Sequence, residues 1–437
     1  MGKRILIISY FFAPQNAMGA VRPTKLAKYL SRMGHEVTVL CGPGMNDRRD
    51  PTLARDLAAL REVHVIREWN PLRDRRARPA TTSAATRQAE AQPPAAASRA
   101  GALHAVKDAA YRWLRWQADR SFRRRAVAAL DGLTGTYDVV FSTYAPWSVH
   151  EIAREAKRRG LARRWIADFR DEVGTAFAWQ KGKKARYLRM LRREADVLCA
   201  ASQGFLEMMG FEDAGRVLSN GFDREDLPPA EAAPARTGRL RVVYCGMLSM
   251  GRKGVGDRDL TPMFRALGAL IKRGQLARSQ VALVYAGGES ALMQRQAAAC
   301  GMGDLVEDHG LVSREESIAL QRGADVLLMA SWHMAAQRGI LTGKLFEYMM
   351  MEKPIVCCMS GDLPGSGVKR VLEETGMGLC VEQAAGAADE AALDAYMTDL
   401  AYRWKQGKSL LESKRPGEVE TYAYPALAAR LAGWMER

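Results

Sequence analysis

A short turn followed by a basic and then an acidic residue has the clearest chemical potential in this sequence. Residues 339–358 read GILTGKLFEYMMMEKPIVCC, where a glycine turn leads into a short helix and then an apolar strand. The amides around Thr342 and Gly343, with the Lys344 ammonium group, can hold a phosphate. Glu347 lies roughly 5 Å further along the helix, where it can accept hydrogen bonds from sugar hydroxyls. This pattern predicts a bound nucleoside diphosphate, whereas an acid that only stabilises the helix start would explain the charge alone.

Two other predicted turns in the second half of the chain carry groups that suit a nucleotide. Gly246 ends a strand-like run and is followed by Arg252 and Lys253 in YCGMLSMGRKG. A diphosphate needs close backbone approach and positive charge, which this turn offers, although spacing alone favours a plain charged loop. Gly310 precedes a helix that starts with the S-x-x-E pattern of a capping box. Such a turn can hold a flat ring against its backbone, whereas most turns of this kind only reverse the chain.

The first predicted strand is followed by a helix start that can bind an anion. In SYFFAPQNAMGAVRPTKLAKYL, Gly19 keeps the backbone open where the helix begins, and Arg22 lies in its first turn. A cation is disfavoured at that position by the helix dipole, which favours a ligand role for Arg22 over a solvated arginine. The stretch has no GxGxxG pattern, so it does not predict a dinucleotide site.

Ionisable residues also crowd the end of the predicted strand RWIADF. Asp168, Arg170, Asp171 and Glu172 follow one another there, and Asp168 has apolar neighbours. We interpret Asp168, Arg170 and Asp171 as candidate catalytic residues, with a structural Asp168–Arg170 ion pair as the alternative. His150 in APWSVHEIA is a further candidate, against the alternative of a helix-surface histidine.

Apolar, β-branched runs alternate with amphipathic helical stretches almost throughout the chain, which predicts an α/β fold with parallel sheets and helices on both faces. The predicted strands are RILIIS, EVTVLC, YDVVFS, RWIADF, ADVLCAA, RVLSN, LRVVYCG, VALVYAGG, DLVEDHG, ADVLLM, KPIVCC and GLCVE. A linker rich in proline and alanine, residues 227–239, separates the two sets of strands. We therefore predict two doubly wound, Rossmann-like domains, which comprise residues 1–228 and 229–415. A C-terminal helix, residues 416–437, is predicted to cross back to the first domain. Ligands of open parallel sheets bind at the carboxyl ends of the strands, which predicts a site in an interdomain cleft.

An insertion breaks the alternation in the first domain, over residues 72–125. Residues 72–102 are rich in Ala, Pro, Arg and Ser and have almost no large apolar side chains, so we predict a disordered loop. The next stretch, 104–125, is basic and contains Trp113, Trp116 and Phe122. Indoles beside arginines suit an anionic membrane surface, and a helix that packs on the first domain is the alternative.

Composition limits the function classes. The 437 residues have a net charge of +16, which favours a partner with phosphate groups: a nucleotide, an anionic lipid or a nucleic acid. No apolar run approaches the roughly 20 residues of a membrane span, and the N-terminal MGKRILIIS predicts a buried strand rather than a signal peptide. The seven cysteines form no CxxC pair, which predicts a cytoplasmic protein without a structural metal.

The order of these motifs resembles the GT-B glycosyltransferases, specifically their large retaining family four. The motifs are SYFFAPQNAMGAVRPTKLAKYLSRMGHEVTVLCG, WIADFRDEV, ADVLCAASQGFLEMM, VLSNGFD, YCGML, YAGGES, DHGLVSREESIALQRGADVLLM and GKLFEYMMMEKPIV. The resemblance covers most of the chain. It implies a nucleotide-sugar co-substrate, UDP- or GDP-linked, with no metal and no other cofactor.

The resemblance also assigns roles to residues. Glu347 matches the second of two family glutamates, which binds the donor ribose, and the first would fall at Gly339, which implies altered donor contacts. Arg252 and Lys253 match the pair that neutralises the diphosphate. The turn Gly310–Val312, with Leu311 at its centre, resembles the base-binding turn. The strand end that carries Asp168, Arg170 and Asp171 is where relatives often place a catalytic histidine.

These observations lead to one preferred function and three alternatives. We expect a glycosyltransferase that moves a sugar from a nucleotide-sugar donor to a lipid-linked or polysaccharide acceptor, at the cytoplasmic face of the membrane. A catalytically degenerate scaffold that binds a membrane or partner is one alternative. A sugar-nucleotide 2-epimerase is another, although its acid–base set is not found in the sequence. A nucleic-acid binder is the least favoured, because the basic stretch lies in one insertion without a recognisable motif.

Overall fold

The structure, a computed structural model, describes residues 2–44, 49–70, 99–174, 181–228, 238–248 and 258–436, with side chains from residue 109 onward in the helix that begins at Arg99. Contacts divide the chain into two compact units. Unit 1 comprises Met1–Ala200, Met209–Arg216 and Leu431–Arg437, and unit 2 comprises Ala201–Met208 and Val217–Arg430. The chain thus changes unit before the predicted boundary at 228, and its last residues cluster with unit 1.

Unit 1 is built on a seven-stranded sheet in the order β3-β2-β1-β4-β5-β6-β7. Its strands are β1 Arg4–Ser9, β2 Glu36–Cys41, β3 Glu62–Val65, β4 Tyr137–Tyr144, β5 Ala162–Phe169, β6 Val197–Ala200 and β7 Gly215–Val217. Its helices are α1 Met18–Arg32, α2 Pro51–Asp56, α3 Arg99–Ala129, α4 Ser148–Arg158 and α5 Lys181–Glu194. The next helix in the chain, α6 Gln203–Met209, belongs almost entirely to unit 2. The central strand β1 pairs in parallel with β2 and β4, and its residues Ile5 to Ile8 are fully buried. Burial on both faces is why the run reads as continuously apolar.

Unit 2 is built on a six-stranded sheet in the order β10-β9-β8-β11-β12-β13. Its strands are β8 Leu240–Cys245, β9 Val281–Ala286, β10 Val306–Asp308, β11 Val326–Trp332, β12 Ile355–Ser360 and β13 Gly378–Glu382. The helices that follow α6 are α7 Thr261–Lys272, α8 Ser290–Ala299, α9 Arg314–Arg322, α10 Gly343–Met350, α11 Gly367–Thr375, α12 Ala387–Lys405, α13 Pro416–Glu420 and α14 Tyr424–Glu436. Paired strands in this sheet are parallel, so β8, β9 and β10 end at one edge.

The predicted fold is confirmed, and each predicted strand is present. The sequence missed β3, whose residues EVHV are short, polar and partly exposed at the sheet edge. Helix α3 begins at Arg99, inside the loop predicted over 72–102; residues 71–98 lie outside the described part of the chain. The predicted C-terminal helix is two helices, because Pro425 lies in the first turn of α14, where a proline is tolerated. Every helix within the described residues is too short or too polar to span a membrane.

Asp119, on α3, is expected to make the stability of unit 1 depend on pH. Its carboxyl group accepts a hydrogen bond from Ser148 on α4, and burial raises the pKa of Asp119 to about 7. Because the pKa of Asp119 is raised in the folded protein, its neutral carboxyl group stabilises the fold at acid pH. This contribution to the free energy of unfolding is lost as the pH rises towards 7. We expect Asp119→Asn to increase the free energy of unfolding at pH 8 by roughly 2 kcal/mol, and by nearly nothing at pH 4.

Thermal unfolding of both proteins between pH 4 and pH 8 measures this difference. Asp131→Asn is the matched control, because the side chain of Asp131 is 75% exposed and pairs with Arg159 at the surface. A difference between Asp119→Asn and the parent protein that is the same at both pH values would contradict the assignment.

Candidate functional site

Three glycines lie side by side where β8, β9 and β10 end. The Gly246 amide donates to the Ala286 carbonyl at 2.7 Å, and the Gly287 amide donates to the Gly310 carbonyl at 2.8 Å. A Cβ atom at Gly287 would overlap the Gly246 carbonyl oxygen, and Gly246 has a φ of +137°, which side chains rarely adopt. These three residues, the glycine floor, form a surface of bare backbone that a ligand can approach closely.

Helix α10 begins beside this floor. Its N-cap residue is Thr342, whose hydroxyl makes no capping hydrogen bond, and its first turn contains no acidic residue. The Thr342 Oγ1 atom is buried and has no hydrogen-bond partner among the described residues. The start of α10 therefore keeps the partial positive charge of its amides available to an anion.

Lys344, in the first turn of α10, extends to the glycine floor. Its Nζ atom would overlap a Cβ atom at Gly246, and it lies 5.2 Å from the ring centre of Tyr244 and 5.6 Å from that of Tyr348. None of the described carboxylates forms an ion pair with it. Burial lowers the pKa of Lys344, and the Glu347 charge partly opposes this. A mostly buried ammonium group without an ion pair to a described carboxylate attracts an anion strongly.

Glu347 lies one turn further along α10, with 30% of its side chain exposed. Its Oε1 atom accepts a hydrogen bond from Nε2 of Gln321 at 2.8 Å, and its Oε2 atom lies 3.8 Å from Nη1 of Arg314. A carboxylate has about four acceptor positions, so these two neighbours leave acceptor capacity for ligand hydroxyls.

The turn after β10 places an apolar side chain at the surface next to the floor. Gly310 has a φ of +62°, and its amide donates to Oδ1 of Asp308 at 2.9 Å. Leu311 is 86% exposed, whereas Val312 packs against the core. The predicted capping box of Ser313 is present, since its Oγ accepts the Glu316 amide at the start of α9. This arrangement presents backbone and one apolar group to a flat ring.

Sequence reasoning found most of this group and missed its supporting residues. Gln321 is 1% exposed and follows the buried Ile318 on α9 by three residues. Residues three apart share one face of a helix, so the sequence could have predicted that the Gln321 side chain faces the core. Arg258 was also missed; it donates to the Met247 carbonyl, and its charge contributes to the lowered pKa of Lys344. The predicted diphosphate pair Arg252 and Lys253 lies outside the described residues.

In unit 1 the structure corrects two of the predicted roles. Arg22 is not a free ligand for an anion: it is 2% exposed and pairs with Asp168 at 2.7 Å. Asp168 is fully buried and also accepts from Oγ1 of Thr143 at 2.7 Å. The expected alternative, an Asp168–Arg170 pair, is likewise replaced by Arg22–Asp168. A carboxylate held this way inside the sheet serves the fold, because no substrate can touch it.

His150 is a core residue, which corrects its predicted catalytic role. It is fully buried, its Nδ1 atom lies 2.7 Å from the Ser142 hydroxyl, and its ring packs 4.8 Å from that of Phe169. Burial lowers the pKa of His150 to about 3, so the ring is neutral at ordinary pH. An imidazole enclosed by aromatic rings contributes packing rather than proton transfer with a ligand.

Gly19, Arg170 and Asp171 come together at the carboxyl edge of the sheet in unit 1. The Arg170 guanidinium group lies against Gly19, where a Cβ atom would overlap it, and covers the Phe11 ring at 5.1 Å. Its Nε atom donates to the Tyr144 carbonyl at 2.6 Å and lies 3.9 Å from Asp171. Burial lowers the pKa of Arg170, whereas the Asp171 side chain is 65% exposed. Asp171 is the predicted acid in this cluster that a substrate can reach.

Gly339 has a structural reason to lack a side chain. Its φ is +80°, and a Cβ atom would lie 2.5 Å from Ser202 Oγ and 2.6 Å from the Phe205 amide. Ser202 donates to the Gly339 carbonyl at 2.6 Å while capping α6 through the Phe205 amide. The start of α6 therefore packs directly on the backbone of residue 339.

Part of the chain matches a known protein family. Residues 239–399 match the family described as Glycosyl transferases group 1. A comparison with curated proteins finds no match to this sequence.

Solved structures share the fold over the whole chain. Candida albicans trehalose-6-phosphate phosphatase N-terminal domain has a TM-score of 0.62 at 14% identity, covering 100% of this chain and 97% of that one. Sucrose-phosphate synthase from Thermosynechococcus elongatus has a TM-score of 0.58 at 16% identity, covering 99% and 98%. A Listeria monocytogenes protein described as a UDP-N-acetylglucosamine 2-epimerase has a TM-score of 0.53 at 11% identity, covering 100% and 96%. At these identities the likeness concerns the fold alone, which is GT-B.

Proposed function

We propose that this protein is a retaining glycosyltransferase that uses a UDP- or GDP-linked sugar donor. The match of residues 239–399 to the group 1 glycosyl transferases and the GT-B fold support sugar transfer. The observation that carries the donor proposal is the Lys344 ammonium group at the glycine floor, one helical turn from Glu347, with no ion pair to any carboxylate in the part of the chain that the structure describes. The diphosphate would contact the floor, Lys344 and the amides at Gly343. The ribose would contact Glu347.

The same residues would carry the chemistry. Cleavage of the sugar–phosphate bond leaves negative charge on the diphosphate, and Lys344 with the start of α10 is already oriented to stabilise it. Arg252 and Lys253, which follow Gly246 in the sequence, are proposed to add positive charge to this site. The nucleotide base would lie against Gly310, Leu311 and Val312, the exposed turn after β10.

The acceptor is proposed to be lipid-linked or a polysaccharide. Asp171, at the carboxyl edge of the sheet in unit 1, is proposed to orient its hydroxyl group, because that carboxylate is exposed next to Arg170. No metal or further cofactor has a part in this proposal.

A calorimetric panel tests the donor assignment. We expect UDP or GDP, and the matching nucleotide sugars, to bind with or without EDTA, and one base to be preferred. Absence of binding by every nucleoside diphosphate would favour a degenerate scaffold. Conversion of UDP-N-acetylglucosamine to its 2-epimer, without transfer of the sugar, would favour the epimerase.

We further propose that α3 holds the enzyme at an anionic membrane surface. One face of this helix is buried in unit 1 through Ala118, Ser121, Phe122 and Ala126, so Phe122 takes no part in the proposed membrane surface. The opposite side exposes Trp113 at 49%, with other aromatic and basic groups nearby in the chain. These are Tyr111, Trp116, Arg120, Arg123 and Arg124, of which Arg120 lies over the Trp116 ring and Arg123 pairs with Glu151.

Liposome flotation tests this surface. Each basic residue near an anionic bilayer contributes about 1 kcal/mol, so Arg120→Glu with Arg124→Glu should reduce binding to anionic liposomes by at least tenfold. Trp113→Ala should weaken it further because an interfacial indole is lost.

Lys272→Glu with Lys405→Glu is the matched control, since both lysines are exposed on helices of unit 2. If the protein binds neutral and anionic liposomes equally, or if the control substitutions reduce binding as much as the α3 substitutions do, the proposal that α3 binds the membrane is wrong.

A further inference from the structure

A buried amide supports the carboxylate that the proposed function assigns to the donor ribose. Gln321, on α9, is 1% exposed, and its Nε2 atom lies 2.8 Å from Oε1 of Glu347 on α10. The same Nε2 atom lies 3.1 Å from the hydroxyl of Ser317, one turn earlier on α9. Both amide hydrogens of Gln321 therefore have acceptors, and one of these acceptors is charged.

The orientation of this amide is fixed by its neighbours. If the amide were turned over, Oε1 of Gln321 would face a carboxylate oxygen at hydrogen-bond distance, and two acceptors repel each other there. In the orientation present, Oε1 of Gln321 is buried without a partner among the described residues. A buried unpaired carbonyl is costly, and it persists here beside a charge-assisted bond to Glu347.

We propose that Gln321 is a positioning residue for ribose recognition: it holds one oxygen of Glu347 so that the remaining acceptor positions face the two ribose hydroxyls. This inference rests on the proposed function. Arg314 assists from the other side, where Nη1 lies 3.8 Å from Oε2 of Glu347. The carboxylate on the short helix α10 is thus fixed by two residues of α9, and its rotamer is set before a ligand arrives.

If Gln321 positions Glu347, replacing Gln321 should change the selectivity for ribose over 2′-deoxyribose, whereas a purely structural role predicts no such change. A rigid, aimed carboxylate should favour a ribose over a 2′-deoxyribose, because the missing hydroxyl leaves an oriented acceptor unpaired. A carboxylate that can rotate should still bind phosphate-bearing ligands at the glycine floor but should discriminate less between the two sugars.

The experiment compares the dissociation constants of UDP and dUDP, or of GDP and dGDP, for four variants. Gln321→Met keeps the length and removes the hydrogen bonds, and Gln321→Asn keeps the amide but withdraws it by one methylene. Both should lower the preference for the ribonucleotide by about tenfold, and in the transfer reaction both should raise KM for the donor more than they lower kcat. Gln294→Met on α8 is the control, because this amide bonds the Gly303 carbonyl away from the site. Glu347→Ala is the fourth variant.

The two proposals fail in different ways. If Glu347→Ala removes the ribose preference while both folded Gln321 variants keep the wild-type value, positioning by Gln321 is overturned and the ribose site stands. If Glu347→Ala leaves the preference unchanged, the ribose site itself is overturned, and the Gln321 inference falls with it. A loss of preference that Gln294→Met produces equally would also overturn the inference.

Discussion

Lys344→Met is expected to weaken nucleoside diphosphate binding by on the order of 100-fold or more, and to raise the melting temperature at the same time. The ammonium group is mostly buried, without a carboxylate among the described residues to pair with it. Contact with a diphosphate is therefore its main source of compensation, at about 3 kcal/mol for a charge-assisted contact. Methionine fills a similar volume without a buried charge, which should stabilise the unliganded protein.

Calorimetry and thermal melting of the same samples measure both effects. Lys272→Met, an exposed lysine of α7, is the control and should change neither. Because burial lowers the pKa of Lys344, diphosphate binding should also take up protons at alkaline pH, which titrations in buffers of different ionisation enthalpy detect. Wild-type affinity in Lys344→Met would place the diphosphate elsewhere.

Glu347→Ala is expected to cost on the order of 3 kcal/mol in donor affinity, through the loss of two charge-assisted hydrogen bonds to the ribose. The fold should survive, because the side chain is 30% exposed. The binding of inorganic pyrophosphate, which has no ribose, should change much less than that of the nucleoside diphosphate. Isothermal titration with both ligands separates the two contributions.

Glu315→Gln controls for the removal of one negative charge near the site, since Glu315 is an exposed acid on α9. Equal losses of pyrophosphate and nucleotide affinity in Glu347→Ala would show that Glu347 acts through the diphosphate or the fold, and not through the ribose.

The parts of the fold that follow from local patterns were predictable from the sequence. Continuous apolar runs such as Ile5 to Ile8 identify buried parallel strands, and glycines after such runs identify the edge where ligands bind. Gly246 and Gly310 follow strand ends, and Thr342, Lys344 and Glu347 lie at the beginning of one helix, so their grouping in unit 2 could be predicted.

Partners distant in sequence could not be predicted in the same way. Asp168 is two residues from Arg170 but pairs with Arg22, which is 146 residues away in the sequence. Arg22 lies on α1, the helix that follows β1, and β1 and β5 pair in parallel with opposite sides of β4. The hydrogen bond from Gln321 on α9 to Glu347 on α10 likewise joins residues 26 apart, and no local periodicity of the sequence indicates it. Neither the catalytic role predicted for His150 nor the helix-surface alternative anticipated its burial, because the aromatic rings around it, such as Phe169, come from distant parts of the sequence.

The contact between α6 and Gly339 restricts how this sequence can change. The resemblance places an acid at residue 339, but any side chain there would meet the Ser202 hydroxyl and the Phe205 amide and would need an unfavourable φ of +80°. A glutamate at residue 339 would require α6 to move away. The two elements are in close contact, because a Cβ atom at Gly204 would lie 2.6 Å from the Gly339 Cα atom. The backbones of these two glycines, on separate elements, thus occupy the space that a side chain on either would need, so a glutamate at residue 339 would require a compensating change in α6.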